Sequence, residues 1–178
     1  MRQLPFDEVQ NEQRQFPIVV ICENFLSPEN VGMAFRLCEA MGVEHLYLSG
    51  STPAPPNRKL AKAARSAHKR LPYTHEMDCE QLYHRLKATG YALVGLEIAD
   101  QSQDLRSVDF KKYPKLALVA GAERYGLSAA TLRQLDAAVH VPMFGVGSSM
   151  NVVTALSVGL YEVVRQWTGC STTTQRNA

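Results

Sequence analysis

The feature that most limits how this chain can fold is its series of short apolar runs bounded by polar sequence. Pro17–Glu23 (PIVVICE) is the clearest and is rich in β-branched residues; Leu116–Ala120 (LALVA), Tyr91–Leu96 (YALVGL) and Ala138–Val141 read the same way. A run without polar alternation belongs to a strand covered on both faces. Segments with helical spacing separate these runs. Ser27 reads as an N-cap with Pro28 at the first helical position, and Asn30–Met41 carries Val31, Ala34, Phe35 and Cys38 on one face before Gly42. Glu44–Ser49 reads as another strand, Asp78–Thr89 as a helix stopped at Gly90, and Ser128–Leu135 as a short helix; a closing helix starts near Met150. Strands alternating with helices predict an α/β fold on a mostly parallel sheet with helices on both faces, because parallel neighbours need crossover connections.

The chain has 178 residues, 46% of them hydrophobic and 20% charged, enough for one domain with a real core and incompatible with disorder as the main state. No linker divides it. The expected organisation is an N-terminal extension at 1–16, one domain at 17–168 and a flexible tail at 169–178. The first residues lack the basic-then-apolar order of a signal peptide, and no apolar run approaches membrane-spanning length. Cys22, Cys38, Cys79 and Cys170 form no CxxC pair, so structural or incidental thiols, no metal site and a cytoplasmic, reducing setting are expected.

A net charge of +2 does not by itself mark a nucleic-acid binder, but its distribution is uneven. After the proline-rich Ser51–Asn57, the stretch Arg58–Arg70 holds Arg58, Lys59, Lys62, Arg65, Lys69 and Arg70, and no acidic residue occurs between Glu44 and Glu76. These six cations suit RNA phosphates, with His68 or Tyr73 alongside; they also suit a plain solvated helix face.

Three polar constellations sit where strands give way to helices, the usual ligand crevice of a parallel sheet. Asn30–Val31–Gly32 and Arg36 open the first helix, although a helix cap and a surface ion pair would use the same residues. Gly121–Ala122–Glu123–Arg124–Tyr125–Gly126 follows the run at Leu116–Ala120; its glycine admits close approach to the backbone, and a plain turn has the same composition. Val141–Asn151 (VPMFGVGSSMN) is a shaped loop that crowds Ser148, Ser149 and Asn151 around a helix start. Its Gly145-x-Gly147 is no dinucleotide fingerprint, because Met150 holds the third glycine position and only 27 residues follow Asn151. The last helix has apolar residues around most of its circumference, from Val152 to Trp167, so it lies deep in the monomer or packs on a second copy; a two-fold dimer is the expectation.

In order, NVGMAFRLCEAMG, LVAGAERYGLS and VPMFGVGSSMNVVTALSVGLYEVVRQ resemble the three motifs of the SpoU/TrmH family of RNA 2′-O-methyltransferases in the SPOUT superfamily, and the resemblance spans Ile18 to Gln166. It implies a C-terminal trefoil knot, S-adenosylmethionine as cofactor, a homodimer and a tRNA or rRNA substrate, with neither DNA nor membrane expected as a partner. By motif, the catalytic set implied is Asn30, Arg36, Glu123, Ser149 and Asn151. The cofactor positions implied are Leu96, Gly121, Val141, Met143 and Met150, where Met150 replaces the leucine of many relatives.

Methyl transfer to a ribose hydroxyl needs the oxygen held in line with the methyl carbon and its proton removed. The family proposal makes Arg36 the base, yet a guanidinium normally stays charged. Two roles remain open for it: proton acceptor, or a cation that holds a phosphate and stabilises charge on the oxygen. Two other functions fit the same fold, a base methyltransferase and an RNA-binding module without catalysis.

Overall fold

The structure, a computed structural model, describes residues 1–5 and 8–169. Of the expected tail at 169–178 only Gly169 is among them, and Cys170 lies outside the described residues. In chain order the elements are β1 (Phe16–Glu23), α1 (Pro28–Ala40), β2 (Val43–Ser49), α2 (Arg58–Ala64), β3 (Tyr73–Glu76) and α3 (Cys79–Ala88). Then come β4 (Ala92–Leu96), β5 (Gln103–Asp104), β6 (Leu116–Ala120), α4 (Ala129–Gln134), β7 (Ala137–His140) and α5 (Val152–Trp167).

The strands form one sheet in the order β3-β2-β1-β6-β4-β7-β5, and every pairing is parallel. The expected α/β architecture is therefore present, and all carboxyl ends of the strands reach the same edge. β1 shows why its run is unbroken: Ile18, Val20 and Cys22 join the core under α1, α2 and α5, whereas Val19 and Ile21 join the core under α3 and α4. Alternate residues enter opposite layers, and both layers are built from buried apolar side chains.

Local chemistry sets the helix starts. Ser27 caps α1 by accepting from Asn30 N–H at 3.2 Å, with Pro28 next to it as the spacing predicts. Asp78, Ser128 and Asn151 cap α3, α4 and α5 in the same way. The edge strands β3 and β5 were not legible as strands: YTHE and QD contain no apolar run, and their pairing is fixed by the neighbour each lies against.

Buried Cys22 and Cys38 are free thiols, and burial pushes both well up from the ordinary thiol value; Cys38 and the charge of Glu123 add to the effect at Cys22. Neither is a nucleophile near neutral pH. In α5, Val153, Leu156, Gly159, Leu160 and Val163 are buried, but Val158 and Tyr161 remain exposed, so the single chain leaves one apolar stripe of this helix bare. Among the described residues no helix is long and apolar enough to cross a membrane.

α1 and α2 approach closely at Gly32, where an added Cβ would collide with the Leu60 carbonyl oxygen and come within 2.7 Å of Ala63 Cβ. The obstacle is largely backbone and cannot swing aside. Gly32→Ala is expected to destabilise the fold by ~1–3 kcal/mol, read as a lower urea midpoint at unchanged slope.

Candidate active site

The carboxyl ends of β4, β6 and β7 surround a cavity of about 320 Å³. It is lined by Leu96, Gly121, Val141, Met143 and Met150, which are all five of the cofactor positions inferred from the sequence, and by Glu123 and Ser149 of the inferred catalytic set. Its size is that of a small-molecule site, and its walls alternate apolar side chains with strand-end backbone.

Glu123 ties the cavity to α1. Its carboxylate accepts from the backbone N–H of Leu26 at 2.7 Å and of Ser27 at 3.0 Å, and from Asn30 Nδ2 at 2.7 Å. Burial alone raises its pKa, but the bonds from Leu26, Asn30 and Ser27 outweigh burial and hold the carboxyl below its ordinary value. Asn30 extends the chain of contacts: its Oδ1 accepts from Asn151 Nδ2 at 3.3 Å, while Asn151 Oδ1 caps α5 through Val153 N–H at 2.9 Å. Residues from three separate parts of the sequence thus form one polar line at the sheet edge. Ser149 is exposed beside it.

Arg36 lies apart from this line. It is six residues beyond Asn30, ~9 Å further along the helix, on the exposed side of α1 that also carries Met33. It does not line the cavity, and among the described residues it has no hydrogen-bond or ion-pair partner. Within the single chain the structure does not bring the inferred catalytic arginine to the inferred cofactor positions.

The cationic stretch is less uniform than its sequence implied. Lys59 Nζ lies 3.7 Å from Glu29 and Arg70 Nε 2.6 Å from Glu39, so acidic residues of α1 partly neutralise two of the six cations. Arg58, Lys62, Arg65 and Lys69 are without ion pairs among the described residues, and all four are exposed.

Sequence reasoning missed several residues that line the cavity, among them Glu97, Ile98 and His140, and it named Tyr125 within the Gly121–Gly126 constellation without giving it a role. Glu97 accepts from Leu127 N–H at 2.8 Å and from Ile98 N–H at 2.8 Å, and Gly126, at φ +62°, leaves no room for a side chain against that carboxylate. Ala122 and Gly126 exchange backbone hydrogen bonds of 3.2 and 2.8 Å, closing a small rigid turn that presents residues 123–125. The available signal for Glu97 was its place directly after a strand.

This arrangement matches a known family. The model of the SpoU rRNA Methylase family aligns with residues 17–161. The chain belongs to that family. A tRNA (guanosine(18)-2′-O)-methyltransferase of Thermus thermophilus is 30% identical over 154 residues, an alignment covering 86% of this chain and 77% of that one. The 23S rRNA (guanosine-2′-O-)-methyltransferase RlmB of Ralstonia nicotianae is 31% identical, over 92% of this chain and 64% of its own length. Among solved SpoU structures, the methyltransferase AviRb of Streptomyces viridochromogenes in complex with the cofactor AdoMet superposes with a TM-score of 0.77 at 26% identity. That match covers 93% of this chain and 65% of AviRb. This SpoU chain therefore spans just under two thirds of the latter two proteins.

Because the Glu123 carboxylate is stabilised in the folded state, its contribution is complete above the ordinary glutamate pKa of about 4.3 and is lost as pH falls through the lower folded value. Glu123→Gln should cost ~1–3 kcal/mol at pH 7, with the gap to the parent closing as pH falls below the ordinary glutamate range in urea titrations. A gap constant over that range would show that the carboxylate charge is not what holds the turn.

Proposed function

We propose that this protein transfers a methyl group from S-adenosylmethionine to a ribose 2′-hydroxyl of tRNA or rRNA. The observation that carries the reading is the single cavity wall formed by Leu96, Gly121, Val141, Met143 and Met150, with the Glu123–Asn30–Asn151 line beside it. Relatives whose names specify ribose 2′-O-methylation of tRNA and rRNA support the same reaction.

The apolar walls and strand-end backbone suit the cofactor, which when bound supplies an electrophilic methyl group on sulfur. Gly121 keeps that wall open by packing tightly on its other side, where an added Cβ would meet Leu127 N and Gly126. Glu123 and Asn30 hold the two loops in register, Asn151 fixes the start of α5, and Ser149 offers a hydroxyl at the cavity. Orienting the ribose oxygen is then the main catalytic task.

Arg36 enters through assembly. Met33 and Arg36 on α1, together with Val158 and Tyr161 on α5, form an exposed face of mixed apolar and cationic character on the same side of the sheet. A homodimer through this face covers the bare stripe and places Arg36 at the interface, near a cavity of the partner. Exposed and without a carboxylate partner among the described residues, Arg36 suits the second of its two roles, that of a cation for a phosphate and for charge developing on the 2′-oxygen. The strand order β1-β6-β4-β7, with α5 returned against α1, supports the trefoil knot as part of the same reading. One domain over 17–168, with a short extension before it and a tail after it, belongs to the same proposal. An RNA substrate and free thiols support a cytoplasmic setting.

Incubation with labelled S-adenosylmethionine and total RNA, followed by size separation and recovery of nuclease-resistant dinucleotides, tests the reaction; label in a base instead would overturn the ribose assignment. Arg36→Ala is expected to lower the rate at least ~100-fold with cofactor affinity within a few-fold, and Arg36→Lys to fail similarly because a point charge lacks the planar fork. Equal loss of cofactor affinity in a titration would remove Arg36 from the reaction. For RNA docking, Lys62→Glu with Arg65→Glu should weaken binding and flatten the dependence of log K on log salt by about 2; an unchanged slope would dismiss the basic helix.

A further inference from the structure

Two aromatic rings stand in water beside the donor cavity. Tyr125 is 80% exposed and Phe144 88% exposed, although both are large side chains whose burial would stabilise the fold. Each sits on a loop leaving the carboxyl end of a strand that walls the cavity: Tyr125 itself lines the cavity, and Phe144 follows Met143, which does. We propose that Tyr125 and Phe144 stack on unpaired bases of RNA that flank the nucleotide held at the cavity. This rests on the RNA-directed reading above and names residues that position its substrate.

The surroundings of the rings favour a nucleobase. Arg106 holds its guanidinium 5.8 Å from the Phe144 ring centroid and is itself fixed by Asp104, with Nη2 to Oδ2 at 2.6 Å. Arg124 is exposed next to Tyr125. Rings accompanied by cations match bases accompanied by phosphates, and stacking tolerates any sequence because every base has a π face. The Tyr125 ring is carried on the turn closed by Ala122 and Gly126 and pinned by Glu97, so little backbone freedom is lost on stacking. Phe144 precedes Gly145, around which an added Cβ would meet nothing, leaving space for an incoming ring.

Stacking of this kind requires bases not already stacked in a helix, so the substrate class is single-stranded or looped RNA. Fluorescence anisotropy with labelled oligo-A and oligo-U of about 12 nucleotides, against an RNA duplex of equal length, tests this on the full chain. The parent should prefer the single strands. Tyr125→Ala and Phe144→Ala should each weaken single-strand binding roughly 5- to 100-fold, while Tyr125→Phe and Phe144→Trp stay within about 2-fold of the parent. In methyl-transfer assays both alanine variants should raise KM for RNA, and Phe144→Ala, at a residue that does not line the cavity, should leave cofactor affinity unchanged. Equal affinity of parent and alanine variants, no preference over duplex, or no measurable single-strand binding by the parent would overturn the proposal. Dissociation of the parent's oligomer in the alanine variants, seen by sedimentation, would also overturn it by assigning the rings to a contact between copies. Ring-dependent RNA binding without methyl transfer would sink the proposed reaction alone, and methyl transfer indifferent to the rings would sink the stacking alone.

Discussion

The polar line at the sheet edge depends on the carboxylate of Glu123. It spans 97 positions of sequence to reach Leu26 and 93 to reach Asn30, and it satisfies two backbone donors at the entry to α1, where helix geometry supplies no partner. Bonds from N–H donors to an ionised carboxylate are stronger than neutral ones, so Glu123 ties the turn after β6 to the loop after β1. Asn30 is then oriented to receive Asn151, which caps α5 with its other amide atom. The position of the last helix against the first thus follows from one side chain on a third segment.

A parallel sheet explains why such a relay can exist at all. With β1, β6, β4 and β7 adjacent and codirectional, the loops that follow them emerge side by side, whatever their distance in the chain. The cavity needs no dedicated scaffold beyond this; it is the gap left where the loops after β4, β6 and β7 diverge. Glu97 performs for the β4 side what Glu123 performs for the β1 side, each accepting backbone N–H groups from a neighbouring loop.

Much of this was legible in the residues. Unbroken runs such as LALVA announce strands buried on both faces, and Ser27-Pro28, Asp78 and Ser128 announce helix starts, because both signals are local. The short edge strands escaped because pairing with a neighbour, not composition, makes YTHE a strand. At the site, the five cofactor positions and Glu123 came from the motif resemblance, and the structure gathers them. The ion pairs that Lys59 and Arg70 make with α1 were hidden because Glu29 and Glu39 belong to a different helix, and charge runs say nothing of what crosses from elsewhere. The isolation of Arg36 was equally invisible, since six residues on a helix sound close and are not.

Gly32 removes any cushion between α1 and α2, so the two helices behave as one stiff plank. The cationic side chains ride on one layer of that plank and Asn30 on the other. A polyanion that tilts the outer layer must drag the inner one, and with it the amide that faces Glu123. On the reading proposed above, RNA docking at α2 is thereby mechanically coupled to the Glu123–Asn30–Asn151 line.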